Sequence, residues 1–575
     1  MMFILGVNTG PHDGSAALLH DGTLVVMAEQ ERLSRRKRAF GESPAAAIGS
    51  CLDAAGISLS EVAEVAVGWD VPQLTMVEDR NFDEKRFRDW LFPAEMFGSG
   101  HEPPLRFVPH HLAHAASALW TSGTDRAAVL VMDGRGETQA TTIAKGTCRD
   151  IVVLREWDSL LSLGHFYGFA AEWAGLSVWD AGKLMGLAAY GRSGQRVPLT
   201  RTPDGYDMPG RPEPHERVAY RYFQLRSYLR KFFTAENYPY GEGDMTEPMA
   251  YADFAASVQH ALEEVVLNLA TIAKRLTGAD RLVLAGGVGL NCTMNGVLAR
   301  SGIFTDLYVP PVPHDAGVSL GAALMAYRER AGTGSRMMSL DHAFWGPAPA
   351  VDEVTSALRA AGLHGSPLPE AELVAQVADH LVAGRLVGWW QGRSEVGQRA
   401  LGARSILCDP RHRRNLARLN TVKGREIWRP LAPSVLAEHV TELFGQQLPS
   451  PADFMLCAWP VSPLARPLIP AAVHVDGSAR PQVVRKAVSP RFWAVIDAFR
   501  QRTGVPAVIN TSFNLAGEPN VLSASDAIAC FQRGGLDVLA IDDYIVLNPD
   551  PASPLGVTAR PAADPGVTFT PWDTS

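Results

Sequence analysis

Two histidines four residues apart, His110 and His114, head the Ala-rich run HHLAHAASALW. Alanine and leucine favour helix, so the two imidazoles share a face and can bind one metal ion once carboxylates from elsewhere complete the site. Two aspartates stand where such carboxylates are needed. Asp133 follows the strand-like residues 128–132, and Asp315 follows the proline-rich run 309–314. Two histidines and two aspartates suit a borderline divalent ion, iron(II) or manganese. The histidine spacing alone is not diagnostic, because such pairs also occur as structural or surface residues. A protease is disfavoured, since HHLAH lacks the glutamate with which HExxH activates water.

Phosphate has candidate seats as well. AGGVGLN, residues 285–291, follows a strand-like run and precedes a helix-like segment, where backbone N–H groups hold anions. Gly286, Gly287 and Asn291 are its candidate nucleotide contacts, although a tight strand-to-helix turn explains the stretch equally. AGKLMGLAAYG, residues 181–191, offers Lys183 and Gly186 to a nucleotide phosphate or ribose, with close helix packing as the alternative. Cations gather late in the chain: GRSEVGQRALGAR at 392–404, KGRE at 423–426, WRP at 428–430, and Arg480. Guanidinium groups grip phosphate bidentately, so arginines among glycines suit a small phosphate-bearing substrate; solvated surface charge is the competing reading. NTSFN, residues 510–514, adds neutral donors suited to a carbonyl or amide.

The elements that must position these groups follow from pattern. Strand-like 3–7, 15–19 and 23–28 are linked by Gly/Asp turns, with Asp21-Gly22 the signature of a tight hairpin. Residues 127–144 repeat the strand, turn, strand unit, which predicts duplicated halves with a cleft between them. Residues 191–217 lack periodicity and read as an inserted loop. Residues 220–233 mix aromatic and basic side chains at helical intervals, either an amphipathic helix with its rings on the core or an acceptor or phosphate platform. FWGPAPA near residue 345 marks a domain boundary, and 538–541 reads as the last clear strand. The expected domains are 1–345, 355–550 and an irregular Pro-rich tail at 551–575.

Composition sets the class. With 46% hydrophobic and 20% charged residues the chain is globular, and its net charge of −8 argues against a dedicated nucleic-acid binder. The six scattered cysteines form no CxxC pair and are expected as reduced thiols. No basic leader or membrane-length apolar run is evident, so a cytoplasmic protein without a membrane partner is expected.

In combination HDGSAALL, HHLAHAASA, MDGRGE, GKLMGLAAYG, AGGVGLN, HDAGVSLGAA, GRSEVGQRALGARS, REIWRPLAPS and NTSFN resemble the O-carbamoyltransferases of antibiotic biosynthesis and nodulation (NodU/CmcH type). The resemblance implies an α/β protein with two main parts. The larger N-terminal domain would be of the actin and sugar-kinase superfold, similar to threonylcarbamoyl-transfer proteins, and a smaller YrdC-like domain would follow. It further implies that carbamoyl phosphate binds at Arg399, Lys423, Arg429 and Arg480, with Asn510 and Ser512 as further candidates and Arg429 taking part in its cleavage. The resulting carbamate would attack ATP to give carbamoyl adenylate, held beside a metal at His110, His114, Asp133 and Asp315. His12 falls where the family places its catalytic histidine and would take the proton of the acceptor hydroxyl. A tRNA threonylcarbamoyl-transfer protein and a non-catalytic actin-like ATP-binding scaffold are the alternatives; acidity and the metal quartet respectively count against them.

The acceptor is not carried over, because the loop NTGPHDGS is shorter than in the aminoglycoside-modifying member of the family. Residues 191–233 and 8–14 are the expected acceptor walls. Their aromatic content points to a natural-product glycoside with a partly apolar aglycone.

Overall fold

The structure is a computed structural model of the 575-residue chain and describes residues 2–98, 100, 103–238, 241–243, 246–332 and 338–549. The expected tail at 551–575 lies outside the described residues. The chain divides into two compact units, whose described residues are 2–30 with 40–340, and 31–39 with 341–549.

The first unit is built twice from one plan. Strands β1 (Phe3–Asn8), β2 (Ser15–His20) and β3 (Thr23–Glu29) form an antiparallel meander. Strands β4 (Val62–Val67) and β5 (Leu105–Phe107) then add in parallel on the far side of β1, giving the order β3-β2-β1-β4-β5. In the second half β6 (Arg126–Met132), β7 (Gln139–Thr147) and β8 (Ile151–Asp158) make the meander. A small hairpin, β9 (Thr200–Thr202) and β10 (Gly205–Asp207), precedes β11 (Arg281–Ala285) and β12 (Asp306–Tyr308). Its sheet order, β12-β11-β6-β7-β8, is the same arrangement read from the other edge. This duplicated α/β plan is the one implied for an actin or sugar-kinase relative. Asp21 and Gly22 carry φ of 48° and 80°, the double positive φ that a two-residue turn between right-twisted strands demands.

The helix His110–Leu119 packs against the helix Val318–Ala331, and small residues set their separation. A Cβ at Gly321 would lie 1.8 Å from the carbonyl oxygen of Ala113, so only glycine allows this approach. The close packing keeps His114, on the first of these helices, beside Asp315 at the entry to the second.

The second unit holds β13 (Val387–Trp390), β14 (Arg404–Cys408), β15 (Ala432–Leu436), the short pair β16 (Trp459–Pro460) and β17 (Ser478–Ala479), β18 (Gln482–Val484), β19 (Ala507–Ser512), β20 (Val538–Ile541) and β21 (Tyr544–Leu547). Seven of them form a mixed sheet in the order β18-β15-β19-β14-β13-β20-β21. Leu373, Val377 and Leu381 line the buried face of the helix Glu370–Val382, as their spacing predicts.

Three boundaries differ from expectation. Residues 31–39 belong to the second unit: Arg32 Nη2 donates to Gly397 O at 2.7 Å, and Arg35 Nη1 to Asn520 O at 2.6 Å. Strand β20 is not the last, because β21 returns through a turn at Asp542, whose φ is 43°. Within the expected loop 191–217, Tyr206 of β10 is buried and its hydroxyl bonds Thr141 and Leu161 O, so the hairpin is anchored structure.

Candidate active site

Four side chains from separate places in the first unit converge. His110 and His114 come from the first turns of their helix, Asp133 from the end of β6, and Asp315 from the turn before residue 318. One ligand atom from each lies within 4.8 Å of all the others, and all four residues are buried. His110 Nε2 stands 3.1 Å from His114 Nε2, 3.6 Å from Asp133 Oδ2 and 3.8 Å from Asp315 Oδ1; His114 Nε2 is 3.6 Å from that same oxygen. Burial by itself pushes the His110 pKa down, yet the bond to Asp133 and the charges of Asp315, Asp133 and Glu137 carry it above the ordinary value. Burial likewise pushes Asp133 up, but His110, His114 and the Gly287 N–H hold it well below the usual carboxylate range. The pocket is thus built for positive charge.

The neighbours fix how these ligands point. His110 Nδ1 lies 3.0 Å from Gly68 O, so a ring proton is directed there and Nε2 is the nitrogen that faces the quartet. Trp69 stacks on the His110 ring at 3.8 Å and gives its Nε1–H to Asn8 Oδ1 at 3.0 Å. The buried Glu137 carboxylate accepts from the N–H groups of His110 and Asp70 at 3.0 and 2.9 Å, serving a helix start that has no side-chain cap of its own. Asp133 uses Oδ1 to accept from Gly287 N at 2.7 Å and turns Oδ2 to the histidines.

Around the quartet stand three groups with different parts. His12 Nδ1 is 3.0 Å from Asp13 Oδ2 and 4.0 Å from Asp315 Oδ2, and its ring meets Trp179 edge-on at 4.8 Å and Phe40 at 6.1 Å. His165 opens the helix Leu163–Trp173, with its edge on Tyr222 at 5.0 Å. Burial first, then the Arg135 charge, lowers its pKa to about 4, so its imidazole is neutral at pH 7. The arginines of the helix Val218–Glu236 are spent on acids, Arg221 on Asp158 and Arg226 on Glu172, while Leu225, Leu229 and Phe233 are buried. That favours the core-packing reading of this helix, with Tyr220 and Phe223 left exposed.

The glycine turn is tighter than a phosphate loop requires. Gly286 has φ 89°, and a Cβ there would lie 2.1 Å from Met132 O. Asn291 Oδ1 caps the following helix through Met294 N at 3.0 Å, and its amide exchanges bonds with Gln259. Lys183 pairs with Asp180 at 3.0 Å, one turn from Gly186 in the same helix.

The second unit carries its own cluster. Arg425 is half-buried, and desolvation first, then the charges of Arg429, Arg480 and Arg399, lower its pKa well below the ordinary arginine value, with Glu426 opposing. Four guanidinium groups kept together in this way form a seat for an anion. Lys423 is buried beside them, with Nζ bonded to Ser512 O, to Asn514 O at 2.8 Å and to Ser512 Oγ at 3.3 Å. Asn510 shares the Ser512 face of β19 and is buried; its Nδ2 donates to Ala400 O at 3.2 Å and Gln482 Oε1 at 3.0 Å, while its Oδ1 meets no partner among the described residues. Two other arginines of the sequence cluster are structural. Arg404 donates to Leu522, Gln391, Ala403 and Gly392 carbonyls with Trp390 at 4.0 Å, and Arg393 donates to Gly346 and Trp345 carbonyls.

Sequence reasoning gave no role to Trp69, Glu137, His165 or Arg425, and had Asn8 only as one end of the expected acceptor loop. Glu137 and Arg425 lay inside motifs already singled out, MDGRGE and KGRE, whereas Trp69 and His165 sit in ordinary strand and helix context.

Comparison with known proteins agrees in both units. The family model described as Carbamoyltransferase N-terminus matches residues 73–324, and the one described as Carbamoyltransferase C-terminus matches residues 378–548. Nodulation protein NolNO of Sinorhizobium fredii is 37% identical over 94% of this chain and 79% of its own length. Nodulation protein NolO of Bradyrhizobium diazoefficiens is 37% identical over 76% of this chain and 78% of its own. Among solved structures, full-length HypF in its phosphate- and nucleotide-bound form is 12% identical, covers 58% of this chain and 56% of that one, and has a TM-score of 0.33. With relatives matched over most of their length and both family models present, this chain belongs to the carbamoyltransferases, and it is an enzyme of that family.

Proposed function

We propose that this carbamoyltransferase uses ATP and carbamoyl phosphate to form carbamoyl adenylate, and that it transfers the carbamoyl group to a hydroxyl of a natural-product glycoside. The observation that carries the reading is the cluster felt by Arg425: the charges of Arg429, Arg480 and Arg399 act on one half-buried guanidinium, with Glu426 opposing them. Such mutual repulsion is relieved by a small polyanion, and carbamoyl phosphate is the anionic carbamoyl donor this chemistry needs. In this reading Arg399, Arg429 and Arg480 grip the phosphate and Lys423 and Ser512 line the seat. Arg429 neutralises the negative charge that grows on the bridging oxygen as the P–O bond to carbamate breaks.

In the first unit the quartet fits a divalent metal, because His110 and His114 present Nε2 and Asp133 and Asp315 each present an oxygen within one small buried volume. Iron(II) or manganese bound there would supply a Lewis acid for phosphate or carbamoyl oxygens. Lys183, Gly186, Gly286, Gly287 and Asn291 are proposed to line the nucleotide seat, the glycines by letting the ligand approach their backbone, since the Gly287 N–H is held by Asp133 Oδ1 and the Gly286 N–H by Pro313 O. His12 takes the proton of the attacking hydroxyl, while Trp179, Phe40 and Tyr222 give sugar faces and an apolar aglycone something to lie on.

The test is incubation with ATP, carbamoyl phosphate and a panel of glycosides, read by mass spectrometry. One added carbamoyl group, dependent on both co-substrates, is expected. Transfer that needs no ATP would refute the adenylate route.

A further inference from the structure

We infer that Asp13 is the positioning residue that turns the His12 imidazole into a base, an inference resting on the reading that His12 receives the acceptor's proton. Three observations carry it. First, Asp13 Oδ2 lies 3.0 Å from His12 Nδ1, whereas Asp315 Oδ2 stands off at 4.0 Å. The Nδ1 proton is therefore donated to Asp13, and Nε2 is left with the lone pair that a base requires.

Second, the backbone of Asp13 is fixed. Its φ of 54° lies in the left-handed region, which aspartate and asparagine adopt more readily than other non-glycine residues. The surroundings over-determine that backbone. Asn8 Nδ2 donates to Asp13 O at 2.9 Å and to His12 O at 3.3 Å, and Asn8 Oδ1 is itself held by Gly10 N at 3.2 Å and Trp69 Nε1 at 3.0 Å. One residue on, Gly14 O accepts from Gln30 N at 2.8 Å.

Third, the same clamp reaches the metal candidates. Trp69, whose indole N–H pins Asn8, stacks on His110, so the loop bearing His12 and Asp13 is registered against the quartet through one rigid side chain. The His12 ring is confined further by the edges of Trp179 and Phe40.

In the transfer step the acceptor hydroxyl oxygen bonds to the carbamoyl carbon and its proton passes to His12 Nε2. The bond from that carbon to the adenylate oxygen breaks, its electron pair leaves on AMP, and the Asp13 carboxylate balances the imidazolium until the proton is released to water.

The experiment separates the half-reactions in the full chain, with glycerol at molar concentration as the probe alcohol and glycerol carbamate read by mass spectrometry. Asp13→Gly accepts the left-handed backbone without strain, and Asp13→Asn tolerates it while removing the charge. Both variants should form carbamoyl adenylate at close to the wild-type rate while kcat for transfer falls on the order of 10² to 10⁴-fold, with KM for glycerol little changed. Added formate should restore transfer in Asp13→Gly, which a purely structural role would not allow. Transfer within about threefold of wild type in either variant, parallel loss of both half-reactions in both, or no response to formate would each overturn the inference. A wild-type chain that makes no carbamoyl adenylate would instead refute the proposed function, and this inference would fall with it.

Discussion

The buried amide of Asn510 makes a quantitative demand on the donor. Gln482 Oε1 accepts from Ser434 Oγ at 2.6 Å and from Asn510 Nδ2 at 3.0 Å, while Gln482 Nε2 donates to Leu401 O at 2.6 Å. Rotating the Asn510 amide would set its oxygen against two acceptors, so Nδ2 is fixed toward them and Oδ1 is the atom left over. Oδ1 is an acceptor without a donor among the described residues, on the β19 face that carries Ser512, to whose hydroxyl Lys423 donates. The carbamoyl NH2 of carbamoyl phosphate supplies that donor, and the methyl group of acetyl phosphate does not. A buried acceptor left unpaired costs about 1–3 kcal/mol, so acetyl phosphate should compete about 5- to 150-fold more weakly in wild type. Asn510→Ala removes the acceptor and should bring the two acyl phosphates within about threefold, leaving inhibition by inorganic phosphate nearly unchanged. Competition assays on ATP-dependent pyrophosphate release measure all three constants. Equal binding of the two acyl phosphates by wild type would refute the reasoning, as would an equal loss of phosphate affinity in the variant.

Four further outcomes are expected. His114→Ala should lower metal content and activity together, measured by elemental analysis of the purified chain; full occupancy in the variant would dismiss the quartet. Arg429→Ala should abolish consumption of carbamoyl phosphate yet still transfer from supplied carbamoyl adenylate, and equal loss of both in a folded variant would argue for one shared site. Tyr222→Ala, which removes the ring against His165, should raise acceptor KM by about 2- to 10-fold and leave adenylate formation alone, so unchanged acceptor kinetics would place the pocket elsewhere. His165 has a folded pKa of about 4 against an ordinary 6.5, so the unfolded chain binds the extra proton first and stability falls as pH drops from 6.5 toward 4. The drop approaches about 3 kcal/mol, and His165→Phe should remove that component from a urea-unfolding series across this range.

What could be read from the sequence was local. Asp21-Gly22 announces its hairpin because two consecutive positive φ values suit few residue pairs, and the repeated strand, turn, strand pattern announces the duplicated sheets. His110 and His114 could be named because their four-residue spacing sets them on one helical face, and Asp133 and Asp315 because each stands at an element end with a ligating side chain; the structure brings their atoms within 4.8 Å. Partners chosen by the tertiary fold left no trace. Glu137 caps a helix that starts 27 residues earlier, and residues 31–39 join a unit whose remainder begins at residue 341. Arg404 looks like its neighbour Arg399 in sequence, yet backbone carbonyls surround it, and nothing in GQRALGARS distinguishes a buried arginine bound to backbone from one facing an anion. Strand β21 escaped because Tyr544–Leu547 is only partly buried and lacks clean alternation.

The most direct test of the account is to mix the full chain with its metal, ATP and carbamoyl phosphate, without any acceptor, and to identify the products by rapid quench and mass spectrometry. Carbamoyl adenylate and pyrophosphate should appear in equal amounts, neither forming when carbamoyl phosphate or ATP is omitted. Release of ADP with inorganic phosphate from ATP, or carbamoylation of an alcohol by carbamoyl phosphate alone, would contradict it.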